Sequence, residues 1–218
     1  MPLTQDLNKF TTASPILASY SYTDIESGSG VSIFYLAKTA DLYLITPSTI
    51  YSQQVTTQSA IGANTSYVKL LDIDFDISFN TVRTIKGTAI VNVPVGVHHG
   101  HTTGLSHTYV IVKLRHYDGT TETDLATNQG HELDTVSGSA NTVTLMDSLD
   151  LVVAEKLFAR GDTLRITVEQ WGKYTAANAG TVFFGHDPKS RATTTLDTYT
   201  FGTTPTTLMA HIPFKLDI

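Results

Sequence analysis

Cysteine is absent from the 218 residues, which excludes disulfide staples and thiolate-bound metals. Charge is scarce: only 16% of residues are Asp, Glu, Lys or Arg. The surface must therefore be built mainly from uncharged polar residues. Threonine, with serine and asparagine, fills that role, and its β-branching favours strands. The 14 Lys and Arg are scattered and outnumbered by 20 Asp and Glu, for a net charge of −6. Phosphate binding needs clustered basic side chains, so a nucleic-acid partner is not expected. No run approaches the roughly 18 apolar residues of a membrane span. The N-terminal stretch MPLTQDLNKFTTASPILASYSYTD lacks a basic region and a continuous apolar one, so no signal peptide is expected. Also missing are a phosphate-binding glycine loop, a paired-carboxylate hydrolase motif and a G-x-S-x-G nucleophile elbow.

Helix-period segments are nearly absent as well. Asp147–Phe158 is the best helical candidate, and its Val152-Val153 pair fits a strand about as well. Strand signals are what the chain has. In Thr163–Trp171, Leu164, Ile166 and Val168 fall on one face, while Thr163, Arg165, Thr167 and Glu169 fall on the other. A sheet with one packed and one wet face produces that pattern. Further strands are expected over Ile16–Tyr22, Val31–Ala37, Leu42–Thr46, Val68–Phe79, Arg83–Pro94, Thr108–Tyr117, Thr121–Asn128, Thr142–Leu145, Thr181–Phe184 and Leu208–Leu216. Asp118-Gly119 marks a tight hairpin, and Ala159–Asp162 a charged turn. Hydrophobic residues make up 41% of the chain, enough for a core. Ten or so short strands at this spacing imply an all-β fold, an antiparallel β-sandwich of jelly-roll type. With no repeat and no linker, residues 1–218 read as one domain.

Three stretches read as long surface loops, namely Gln53–Ser66, Gly96–Ser106 and Asp187–Pro205. The second holds His98, His99 and His101, with His107 close by. An H-x-H pair can ligate a transition metal, although the carboxylate a cupin-type enzyme places soon after is missing here. Asp72, Asp74 and Asp76 share one face of LDIDFDISF and are the other metal candidates. Three carboxylates in a row need solvent, cations from neighbouring strands, or a metal; Lys69, Arg83 and Lys86 are near in sequence. A polar loop and a solvated strand are the simpler readings, so no metal, cofactor or catalytic residue is assigned. Arg160-Gly161-Asp162 does turn work rather than adhesion, and His186-Asp187 precedes Pro188 as a turn. Tyrosines 20, 22, 35, 43, 51 and 67 are numerous enough to suit a sugar site.

Four segments carry a resemblance: ASYSYTDIESGSGVSIFY (Ala18–Tyr35), DIDFDISFNTVRTIKGTA (Asp72–Ala89), LFARGDTLRITVE (Leu157–Glu169) and HIPFKLDI (His211–Ile218). Through them the chain resembles virion structural proteins of tailed bacteriophages and similar viruses. That resemblance implies a non-enzymatic capsid decoration or accessory virion subunit, made in the host cytoplasm and located in the virion. Its partners would be itself, as a homo-oligomer such as a trimer, and other capsid proteins. Terminal segments would contact neighbouring subunits, and host surface glycans are further possible partners. The alternative expectation is a carbohydrate- or receptor-binding β-sandwich module. A metal-dependent cupin-type enzyme is the third reading weighed.

Overall fold

The computed structural model describes residues 18–19, 29–100, 103–136, 140–175, 180–191 and 201–215. Strands follow one another through the chain: β1 (Ala18–Ser19), β2 (Ser29–Lys38), β3 (Tyr43–Thr46), β4 (Thr56–Ala60), β5 (Val68–Ser78), β6 (Arg83–His99) and β7 (Ser106–Tyr117). They continue with β8 (Glu122–Gln129), β9 (Leu133–Asp134), β10 (Asn141–Phe158), β11 (Thr163–Tyr174), β12 (Gly180–Gly185) and β13 (Met209–Lys215). Among the described residues there is no helix.

One set of long strands runs in the order β10-β6-β13-β2, and the other β8-β7-β11-β5. If the eight long strands are counted in chain order, these are six-three-eight-one and five-four-seven-two. Such double wrapping is the jelly-roll arrangement of two Greek keys. The expected antiparallel sandwich is therefore present. Strand β3 joins the layers at one side, antiparallel to β2 and parallel to β5 through Leu44 and Asp76. Strands β12 and β4 extend the first sheet beside the upper half of β6.

Alternation explains the core. In β6, Val91, Val93, Val95 and Val97 point inward, and in β11 Leu164, Ile166 and Val168 do the same; all are buried. Phe75, Phe158 and Phe184 fill the space between the layers and are 0% exposed. Gly96 is required by one close approach: a Cβ there would lie 2.2 Å from the Phe183 ring.

The segment with helical character, Asp147–Phe158, belongs to β10, which pairs with β6 from Asn141 to Phe158. Its inward Leu149, Leu151 and Val153 alternate with Asp150 and Val152, and the register then shifts between Val153 and Lys156. That shift breaks the period of two and leaves the impression of a helix. The Gln53–Ser66 stretch likewise contains β4, and β6 runs on through His99. The Asp118-Gly119 hairpin forms as expected, with Asp118 N–H donating to Thr121 O and Gly119 at φ 92°. Residues 192–200 of the third loop lie outside the described residues, as do Tyr20 and Tyr22.

Candidate functional site

His98 and His99 sit on adjacent positions of β6 and so face opposite ways. His98 Nδ1 lies 2.8 Å from Thr142 Oγ1, and burial beside His99 lowers its pKa. His99 is fully buried, 3.3 Å from Ser106 Oγ and stacked on Tyr174. His101 lies outside the described residues. The three aspartates of β5 do share the outer face, and cations from the sheet answer them. Lys69 Nζ is 2.5 Å from Asp72. Arg165, the cross-strand neighbour of Asp76, donates to it from Nε at 2.8 Å and Nη2 at 2.7 Å. It also reaches Asp74 at 3.3 Å and Glu122 at 3.1 Å. Lys86 pairs instead with Glu155. The carboxylates beside Arg165 hold its pKa above the usual value.

This bidentate, partly buried network should matter more than an exposed pair. Arg165→Ala is expected to lower the unfolding free energy by about 1–2 kcal/mol. Lys86→Ala, at a pair whose side chains are 58% and 45% exposed, should change it by less than about 0.5 kcal/mol. Urea unfolding midpoints of the two variants check the contrast.

Farther along the same outer face the sheet changes character. Trp171 and Tyr109 are register partners on β11 and β7, with parallel rings 6.3 Å apart. Tyr67, just before β5, packs edge-on against Tyr109 at 4.7 Å. Trp171 is fixed from below by Glu169, whose carboxylate accepts from its indole N–H at 3.0 Å. Glu169 is nearly buried. Burial pushes its pKa up, but the Lys113 ammonium at 2.7 Å, the indole and Lys69 outweigh that and leave it lowered. It is an ionised anchor, not a proton carrier.

At the end of this face Lys173 and His107 are again register partners, and His107 pairs with Asp134 of β9. His107 Nδ1 is 2.5 Å from Asp134 and 3.4 Å from Glu132. Tyr67 donates its hydroxyl to Glu132, and Lys173 Nζ lies 3.5 Å from the same oxygen and 4.4 Å over the Tyr67 ring. The Tyr67 hydroxyl bond is the foremost cause that lowers the pKa of Glu132. Burial and the neighbouring acid raise those of Tyr67 and Tyr109. Glu132 and Asp134 remain about half exposed, with side-chain exposures of 47% and 52%. Among the described residues, His107, Glu132 and Asp134 are the three metal-ligating side chains that converge, their ligand atoms all within 4.8 Å of one another. Neither His98 and His99 nor the β5 aspartates form such a set among the described residues.

His107 was visible in the sequence as a neighbour of the histidine run. Glu132 and Asp134 were missed, although His131-Glu132-Leu133-Asp134 places the two acids at a strand's same-face spacing. What the spacing could not tell is that β9 docks on β7.

No protein-family model matches this sequence, and no curated protein does. Solved structures do. An α-amino acid ester hydrolase aligns at TM-score 0.52 and 10% identity, covering 84% of this chain and 36% of its own. An aminopeptidase from the marine sediment archaeon Thaumarchaeota archaeon aligns at 0.51 and 7%, with the same coverages. The VP2 subviral particle of infectious bursal disease virus aligns at only 0.28 and 12%, over 82% of this chain and 44% of that one. The chain thus spans about a third of the length of the hydrolases it matches.

The shared feature is the fold. It corrects the expectation of a non-enzymatic virion subunit, together with its sugar- or receptor-binding alternative, because the folds that match above 0.5 belong to hydrolases. Low charge, abundant threonine and clean alternation are demands of the sandwich itself, and an enzyme built on that sandwich meets them equally.

Proposed function

We propose that this chain is the β-sandwich of a hydrolase that cleaves an ester or peptide bond of an amino-acid derivative, with the Tyr67–Tyr109–Trp171 end of the outer face turned to the substrate. The observation that carries this reading is the meeting, on one partly open patch, of three aromatic rings, an imidazole, two half-exposed carboxylates and an ammonium. Binding sites commonly combine apolar walls with a few convergent polar groups in this way. The hydrolase neighbours support the reaction class, and the substrates in their names suggest the bond.

In this arrangement the paired rings of Tyr109 and Trp171 receive an apolar side chain. Lys173, His107 and the carboxylates surround the polar end, where charge develops during acyl transfer. Trp171 is the chain's single tryptophan, so its fluorescence reports on this patch alone. Phenylalanine methyl ester should change that emission saturably and be hydrolysed above the buffer rate. Trp171→Leu should raise KM about tenfold, the loss expected from removing one stacked aromatic contact. An unchanged emission spectrum, together with hydrolysis no faster than buffer, would refute the proposal.

A further inference from the structure

We propose that His107, Glu132 and Asp134 form a binding site for a divalent transition cation such as zinc, with three protein ligands and an outward-facing open position. The three come from elements held by backbone pairing: His107 from β7, Asp134 from its partner β9, and Glu132 from two residues earlier. His107 is only 12% exposed and therefore held in place, whereas the carboxylates face solvent. One imidazole and two carboxylates suit zinc better than calcium or magnesium, which prefer oxygen alone. Three protein ligands with the fourth position left to water is the pattern of reactive zinc sites, whereas purely structural ones close the shell.

The neighbours of the cluster fit this role. The Tyr67 hydroxyl orients Glu132, as outer hydrogen bonds orient metal-bound carboxylates. Lys173 approaches Glu132 from the Tyr67 side and offsets one of the two negative charges. It is the group that a bound cation must tolerate.

The imidazole supplies a specific signature. Its Nε2 is buried and has no hydrogen-bond partner among the described residues. In the metal-free protein a neutral ring therefore carries its proton on Nδ1, donating to Asp134. A cation on Nδ1 must move that proton to Nε2. Metal binding at this site is thus a tautomer switch of one histidine.

The inference stands apart from the hydrolase reading, since cation binding needs no turnover. Chelator-treated protein would be titrated with zinc by calorimetry, with His107 followed by long-range nitrogen NMR. We expect one equivalent bound, the Nδ1–H tautomer replaced by Nε2–H, and no competition from magnesium. Asp134→Asn and Glu132→Gln, both at half-exposed positions, should each weaken binding at least tenfold, and His107→Gln about a hundredfold. His98→Gln should leave it unchanged. Lys173→Met should tighten it several-fold by removing a like charge. Absence of saturable binding below about 1 mM, or binding indifferent to Asp134→Asn and Glu132→Gln, would overturn the site. Neither result would alter the Trp171 fluorescence response, so the two proposals fail separately.

Discussion

Phe75→Ala is expected to lower the unfolding free energy by about 3–5 kcal/mol, the cost of truncating a fully enclosed aromatic ring. Phe75 is 0% exposed and lies between the layers. Its ring meets Tyr43 at 5.3 Å, His186 at 6.1 Å and Phe184 at 6.5 Å, all at steep angles. These partners belong to β3, the turn after β12, and β12, so the ring connects both sheets and the strand that joins them. The surrounding strands are fixed by pairing on both sides and can collapse little into the space left. Against a typical domain stability of roughly 5–15 kcal/mol, the loss would take a large share. Phe75→Leu, which keeps most of the volume, should cost well under half as much. Urea unfolding with an unchanged slope and a displaced midpoint is the measurement. A Phe75→Ala midpoint within error of the parent would mean that the core described here is wrong.

The second large effect is on pH dependence. His186 is 0% exposed, enclosed by Tyr43, Phe75 and Phe184, and 2.9 Å from Thr57 Oγ1 through Nε2. Burial pushes its pKa down to about 4, helped by the charge of Lys38. Above the ordinary histidine pKa near 6.5, folded and unfolded chains both hold the ring neutral. Below it, the unfolded chain takes up a proton that the folded chain refuses until about pH 4. The unfolded state then binds more protons, so stability falls as pH falls across that window, by about 3 kcal/mol in total. His186→Gln keeps a hydrogen-bonding group toward Thr57 and removes the titration. Its unfolding free energy should therefore be about 3 kcal/mol less sensitive to a change from pH 7 to pH 4 than the parent's. Equal pH slopes for the two proteins would show that His186 titrates normally. Because Phe75 and His186 touch, the double variant should not be additive. Water admitted by Phe75→Ala would also relieve the burial that holds the ring neutral.

Alternation made the fold legible. Strands β7, β11 and β13 carry inward apolar residues at alternate positions through Val110, Val112 and Leu114, through Leu164, Ile166 and Val168, and through Ala210, Ile212 and Phe214. The Asp118-Gly119 and Ala159–Asp162 turns announce themselves by residue type. In the second of these, Asp162 accepts from Ala159 N–H and from His116 at 2.6 Å, the turn work assigned to it. Strand β10 was harder, because one register shift spoils its period. The candidate site was harder still. His107 is separated from Glu132 by 25 positions and pairs with Asp134 only through β9, a strand of two residues with no periodicity of its own. Within the histidine run, neighbouring residues on a strand point to opposite faces, so His98 and His99 diverge, and His101, the same-face partner of His99, lies outside the described residues. Function was the least legible part, since composition constrains the scaffold and not the groups mounted on it.

The place of β13 affects how the chain is made. This strand lies between β2 and β6, yet β2 ends at Lys38 and β13 begins at Met209. Roughly 170 residues must be translated between the two, which at 5–20 residues per second takes about 10–35 s. Until β13 is made, the edge of β2 that it covers has no native partner, and neither does the Ile85–Asn92 edge of β6 once that strand exists. The nascent chain thus carries two open backbone edges until β13 leaves the ribosome. The same two edges would be exposed by any truncation that removes Met209–Lys215.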